Sequence, residues 1–573
     1  MWQRPVRFYG KESLIPSVLF ILIINVTTCM AQVSIIHNIN GYTYDADRDT
    51  LGTFVAMAFA GGKVIRVAQS QRESSLLKET YPDARMIDGE GATLLPGMID
   101  AHGHVLPLGE ARLNVDLSGA RSLEEVKRKV AAYAERNPGL EWIVGFGWNQ
   151  TRWATNSWPD ASVLDAVVAD RPVWLSRVDG HAGWANSRAM EKAGIDKDTK
   201  VPEGGEIVKD KQGRPTGIFV DKAMKLIENE LSDKSKEQLS HQLDTALSAF
   251  AEVALTGVHD AGIDKQTFEL FKSYADRGDL SVRIYAMIDG MGKNFEEMGK
   301  SGPVYSYADD LLSLRSVKLF ADGALGSRGA AMLEDYSDDQ GNNGLIFYGE
   351  EELTNLVEKA AGAGYQVNIH AIGDRANRLV LDAHENVMDS IDTRNLRHRI
   401  EHAQIVKPQD IGRFREMNII ASMQPTHATS DMNMAVDRIG EHRIDGAYAW
   451  STMLDEGVKF AGGSDFPIES PNPFWGIHAA VTRQNHENEP AGGWYPSEKL
   501  SLYQAFKAFT YDAAYAAHSE DETGSLEPDK WADFILIDRD LFSMPEEDIW
   551  KIEVQETWLA GERVYERGQT KQH

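Results

Sequence analysis

Six residues in this chain stand at the ends of short apolar runs and have side chains able to hold cations. His102 and His104 close the run Pro-Gly-Met-Ile-Asp-Ala-His-Gly-His at 96–104. Lys318 follows Ser-Val, His370 follows Gln-Val-Asn-Ile, His402 follows Arg-Ile-Glu, and Asp465 follows Phe-Ala-Gly-Gly-Ser. A strand end holds a ligand rigidly and leaves one side open. Neutral imidazoles and carboxylates suit zinc or another divalent ion. His102 and His104 are expected to share one ion, with Gly103 letting both rings turn to one side. His370 and His402 are expected to hold the second ion. Lys318 as an ammonium cannot bind a cation, but carboxylation by carbon dioxide would make it an anionic bridge between two ions. The alternative for Lys318 is an ion pair with Asp322. Asp465 is expected both to touch a metal and to take a proton from bound water, which makes it a catalytic as well as a metal residue.

Other residues belong to the expected substrate surroundings. His181, in Val-Asp-Gly-His-Ala-Gly-Trp, is the second expected catalytic residue, donating to a substrate oxygen. Arg328 lies ten residues past Lys318 and is expected to meet an anion. Gln424 and His427 end the seventh apolar run. Trp148 is expected to line a wall for an apolar group. His259 also ends a strand, and its expected role is structural or supporting. Asp100 is expected to orient one of the two nearby histidines.

These residues need a scaffold. Eight strand-like runs, ending near residues 104, 260, 288, 318, 370, 402, 424 and 465, alternate with helical patterns at 239–253, 350–363 and 376–390. This predicts an α/β fold, a (β/α)8 barrel over 97–509 with its chemistry at the C-terminal strand ends. Residues 105–250 are an insertion between the first two barrel strands. Six of the thirteen tryptophans fall there, at 142, 148, 153, 158, 174 and 184. They build either a lid over a substrate or the insertion's own core. Residues 32–96 and 510–573 each contain too few strands for a stable sheet, so both ends are expected to pair into one small β-sandwich.

The whole chain narrows the function classes. It has 573 residues and a formal net charge of -28, which disfavours nucleic acid and anionic lipid as partners. Arg4, Arg7 and Lys11 precede an apolar run from Leu14 to Val26, and Cys29-Met30-Ala31 follows. That layout predicts a signal peptide over 1–31 and export to the periplasm or medium, with an uncleaved membrane anchor as the alternative. Cys29 is the only cysteine, so cleavage would leave no disulfide and no thiolate ligand. Its lipidation is a further alternative. Expected partners are a small-molecule substrate and no stable membrane partner after cleavage, with a homodimer as the assembly to test.

Taken with their neighbours, these motifs resemble the amidohydrolase superfamily, in its amidohydrolase 3 branch typified by N-substituted formamide deformylases. The matching segments are 96–104, Gly-Trp-Asn-Gln at 147–150, residues 179–187, and Val-Lys-Leu-Phe-Ala-Asp-Gly-Ala-Leu-Gly-Ser-Arg at 317–328. They continue with His-Ala-Ile-Gly-Asp at 370–374, Glu-His-Ala-Gln at 401–404, Gly-Gly-Ser-Asp-Phe-Pro at 462–467, and 524–533. Asp529 stands where the branch commonly has glycine, which affects only a turn. The resemblance implies a metal-dependent barrel with a composite β-sandwich, a carboxylated Lys318, and hydrolysis of a non-peptide C–N bond; the expected mechanism is attack by a hydroxide shared by two divalent ions, with a single ion as the alternative. Ester hydrolysis, cyclic amide hydrolysis or isomerisation on the same site is one rival. A non-catalytic exported binding protein is the other.

Overall fold

The computed structural model describes residues 32–569 except 118, 151, 152, 155, 156, 179, 181, 203, 204, 232 and 233. The expected leader, with Cys29, and His181 therefore lie outside the described residues. Among those described, no helix is long and apolar enough to cross a membrane.

Eight parallel strands follow one another round a barrel. They are β1 (Met98–Gly103), β2 (Leu255–Ile263), β3 (Arg283–Asp289), β4 (Leu312–Phe320), β5 (Gln366–Ala371), β6 (Arg399–His402), β7 (Ile420–Met423) and β8 (Lys459–Gly462). Each pairs with the next in chain order. The seam between β8 and β1 closes just above the strand ends. Gly103 and Phe466 form a parallel bridge. The amide of Asp465 donates to the His102 carbonyl at 2.7 Å, and that of His104 to the Phe466 carbonyl at 2.8 Å. The barrel anticipated from the alternating runs is the fold observed.

Local sequence explains the two faces of each strand. In β5, Val367 and Ile369 point outward into the apolar core under the helices, while Asn368 and His370 point inward. The helix Glu350–Gly362 ahead of β5 carries Glu350, Glu351 and Glu352 in its first turn, where the dipole favours anions. It buries Leu353, Val357, Ala360 and Ala361, spaced as one helical face.

Between β1 and β2 the chain builds a second, six-stranded sheet from Val115–Asp116, Ile143–Trp148, Val173–Arg177, Ala182–Ala185, Gly205–Lys209 and Pro215–Asp221. Trp148, Trp153 and Trp184 share its core, with ring centroids 5.8–6.4 Å apart. Trp142 and Trp174 fill a second core beneath. The chain ends meet in an eight-stranded sheet, in which Thr93–Pro96 pairs antiparallel with Phe534–Ile537. Phe59 from one end packs with Phe534 and Trp558 from the other, at 5.7 and 6.3 Å. A buried ion pair, Arg283 bidentate on Asp533 at 2.7 and 3.1 Å, ties the start of β3 to this sheet.

Candidate metal centre

The strand ends place the side chains, and the seam between β1 and β8 sets their spacing. A Cβ on Gly463 would lie 2.7 Å from the His102 nitrogen and 2.9 Å from Asp100 Oδ1. Only glycine lets the end of β8 come this close to β1. A Cβ on Gly103 would lie 2.2 Å from the Phe466 ring. The reason for glycine between the two histidines is thus room for Phe466, and not the freedom to swing both rings. Asp465 (φ 60°) and His402 (φ 73°) both adopt left-handed backbone. Each such residue costs about 1–3 kcal/mol and persists only where its surroundings hold it. The short hydrogen bond from Asp465 N–H to His102 O supplies part of that hold.

Donor atoms converge at one mouth. His104 Nε2 lies 3.3 Å and His102 Nε2 lies 3.6 Å from Asp465 Oδ1. His427 Nε2 lies 3.8 Å from Asp465 Oδ2. Two groups with ligand atoms within 4.8 Å of one another result: His102, His104 and Asp465, and His402, His427 and Asp465. The aspartate belongs to both. Lys318 Nζ stands 3.4 Å from His102 Nε2 and 4.6 Å from the Phe320 ring. Among the described residues Lys318 makes no ion pair. Asp322 is engaged elsewhere, accepting the amides of Ala331, Ile372 and Gly373 at 2.8–3.0 Å. The His370 ring packs 4.6 Å from that of His402, but its Nε2 faces Asp322 at 3.4 Å and the Gly323 carbonyl at 3.5 Å.

Under the mouth lies a charged layer. Glu401 is fully buried and hydrogen-bonds His102 Nδ1. Arg399, also fully buried, donates to Glu401 at 2.9 Å, to the Ala101 carbonyl at 2.6 Å and to Ser422 Oγ at 2.8 Å. His259 Nδ1 meets Arg399 at 2.9 Å, so this strand-end histidine supports the layer and joins neither donor group. Gln424 Oε1 meets His402 Nδ1 at 2.8 Å. Both His102 and His402 therefore have their Nδ1 occupied, which turns their Nε2 toward the mouth, where that of His102 also meets Lys318 Nζ.

A match to the amidohydrolase family model spans residues 85–565. The chain belongs to that family. It is 33% identical over 540 residues to the protein LONG AFTER FAR-RED 3 of Arabidopsis thaliana, covering 92% of this chain and 91% of that one. It is 28% identical to the N-substituted formamide deformylase of Arthrobacter pascens, covering 89% and 95%. Its fold superposes on an uncharacterized metal-dependent hydrolase from Pyrococcus horikoshii OT3 with a TM-score of 0.76, at 26% identity, over 90% of this chain and 99% of that one.

The electrostatics of this amidohydrolase follow from burial. Burial first and Lys318 second lower the His102 pKa to about 4. Burial, then His370 and His102, hold His402 well below its ordinary 6.5. Both rings are thus neutral near pH 7, as metal ligation requires. Burial also lowers Lys318 from its ordinary value. Burial alone would raise the Asp465 carboxyl, but the hydrogen bond with His104 and the rings of His102 and His402 outweigh it and keep the group well below the usual carboxylate range. Glu401 is likewise held low, with Arg399 and His102 outweighing burial.

The donor set fits a divalent ion. It offers imidazole nitrogens and a shared carboxylate, and the buried His427 Nε2 has no hydrogen-bond partner among the described residues. Other residues are placed elsewhere by the amidohydrolase fold. Trp148 is fully buried in the insertion's core, and its indole donates to the Leu175 carbonyl at 2.8 Å, so it serves packing and not a substrate wall. Arg328 is spent on Asp338, at 2.8 and 3.1 Å, instead of awaiting an anion. Asp100 accepts the backbone amides of His102 and Ser464 at 3.0 and 3.1 Å, so it staples the seam and orients no ring. Glu401 orients His102 instead. Its signal was in the sequence: Arg399 and Glu401 alternate on one face of the strand Arg-Ile-Glu-His.

Proposed function

We propose that this protein is a metal-dependent hydrolase of a non-peptide carbon–nitrogen bond of the amide or formamide kind. The observation that carries the reading is Asp465, one carboxylate shared between two groups of histidines at the open end of a barrel. The name of the Arthrobacter pascens relative supports the bond type.

His102, His104, His402, His427 and Asp465 would hold one or two ions, with His370 and Lys318 beside them. Nitrogen and oxygen donors without a thiolate favour zinc while also suiting manganese or iron. Once bound, such ions supply Lewis acidity and lower the pKa of water toward neutrality. The chain's own groups do the rest. Asp465 takes a proton from the attacking water and returns it to the departing amine nitrogen as the C–N bond breaks. Glu401 and Gln424 fix the ring orientations of His102 and His402. Burial of Lys318 favours its neutral amine, the form that adds to carbon dioxide with loss of one proton to give a carbamate. The segment 1–31 would direct export and be removed, which the mass of the mature N-terminus tests.

The deciding experiment measures metal in untreated protein and then hydrolysis of a panel of N-formyl and N-acyl amines beside matched esters. Stoichiometric divalent metal is expected, with amide cleavage lost to a chelator and restored by added metal. Protein free of metal, or metal-loaded protein that cleaves no C–N bond, defeats the reading. Cleavage of esters alone shifts it to the esterase alternative.

A further inference from the structure

A cavity of about 90 Å³ lies at the end of the barrel opposite the metal centre, between the N-terminal ends of β1 to β4 and the segment 517–523. No residue of the two donor groups lines it. The short helix Tyr511–Ala516 closes the barrel beside it, and the Ala516 carbonyl accepts from Gln366 at 3.0 Å. At roughly 10–15 Å³ for each water-sized group, the cavity takes about six to nine heavy atoms. Its inner wall offers little polarity. The Tyr285 hydroxyl is spent on Gln366 at 2.8 Å and His259 Nδ1 on Arg399, while Ile99 and Ala517 are apolar.

The charged groups on this wall are engaged at every point but one. Arg283 is paired with Asp533, Glu522 with Lys63, and Asp310 accepts from the Trp531 indole at 2.8 Å. Burial, then Arg315 and Arg397, lower the His518 pKa to about 3, so that ring is neutral. Among the described residues Arg315 has neither an ion pair nor a hydrogen bond. Its guanidinium lies 4.6 Å from the centre of the Tyr305 ring, which stands half exposed at the lip. Contact of that kind uses a face of the guanidinium and leaves its edge, a fork of N–H donors, for a planar acceptor. We propose that this cavity binds a small organic monocarboxylate of about six heavy atoms. The carboxylate takes the Arg315 fork, and the apolar end lies against Ile99, Ala517 and Tyr285. Phosphate is the poorer fit, because its second charge would face Asp310 and Glu522. The assignment does not depend on the hydrolytic reading.

Calorimetry on the metal-loaded protein tests this, with saturating acetohydroxamate present throughout to occupy the metals. Butyrate is expected to bind once per chain. It should bind about tenfold more tightly than 1-butanol, which has the same tail and no charge, and more tightly than inorganic phosphate. Arg315→Met keeps a long stem and loses the cation. It should weaken butyrate about tenfold and leave 1-butanol unchanged. Arg315→Lys keeps the charge without the fork and should fall between the two. Arg315 holds no other group by a hydrogen bond, so both variants should unfold within a few degrees of the parent, which checks that they are intact. No butyrate binding, an affinity equal to that of 1-butanol, parent affinity in Arg315→Met, or tighter binding of phosphate overturns the assignment. Butyrate binding that behaves as described in a protein that hydrolyses no amide leaves this site standing and removes the hydrolytic reading.

Discussion

At the scale of single residues, Asp465 carries the most. Asp465→Asn keeps an oxygen for a metal and loses the base. The expected result is a fall in kcat of about 10²–10⁴, with metal content by mass spectrometry unchanged. Turnover near the parent level would reject the assignment of the base. Glu401 acts one step back. Glu401→Gln can still accept from His102 Nδ1, but it strands the buried Arg399 cation. Loss of such supporting carboxylates weakens metal binding about 10–100-fold, and chelator competition should read a change of that order. Parent-level metal affinity would mean that Glu401 only fills space. Residue type at strand ends made His102, His104, Lys318, His402 and Asp465 legible. Trp148 and Arg328 were misplaced because Trp153, Trp184 and Asp338, which engage them, give no local sign of doing so.

Elements set how close these groups come. The seam between β1 and β8 is held by few hydrogen bonds and depends on Gly463, where any side chain meets His102 and Asp100. Gly463→Ala should push the two strands apart, destabilise the fold by about 1–3 kcal/mol, and separate Asp465 from His102 and His104. The checks are a lower urea midpoint at unchanged m-value and weakened metal binding in the same sample. Normal metal binding would show that the seam absorbs a methyl group elsewhere. All eight barrel strands were readable from alternation and length. The chemistry of the seam was not, because it depends on contacts between β1 and residues more than 350 positions away.

The whole molecule shows its pH limits in a place remote from the centre. His384 and His398 stack with ring centroids 4.6 Å apart, both buried, and neither nitrogen of His384 has a hydrogen-bond partner among the described residues. Burial lowers the His384 pKa to about 3. The folded chain refuses a proton that the unfolded chain accepts below 6.5. The stability linked to this residue is therefore complete above about pH 6.5 and is lost progressively as pH falls toward 3. His384→Leu should flatten the dependence of urea-unfolding free energy between about pH 7 and pH 5. An unchanged slope would show that other groups govern acid unfolding.

The amino-acid sequence by itself determined the order of the barrel strands and the residues at their ends. Period-two alternation and strand-end position are local properties, and each run displays them without reference to the rest of the chain. Tertiary structure alone decided which nitrogen of each histidine faces the mouth, that His427 joins His402 around Asp465 while His370 turns toward Asp322, and that Glu401 holds His102 from 299 positions away. Those outcomes depend on where separate strands come to rest against one another, and closure of the barrel is what brings them together.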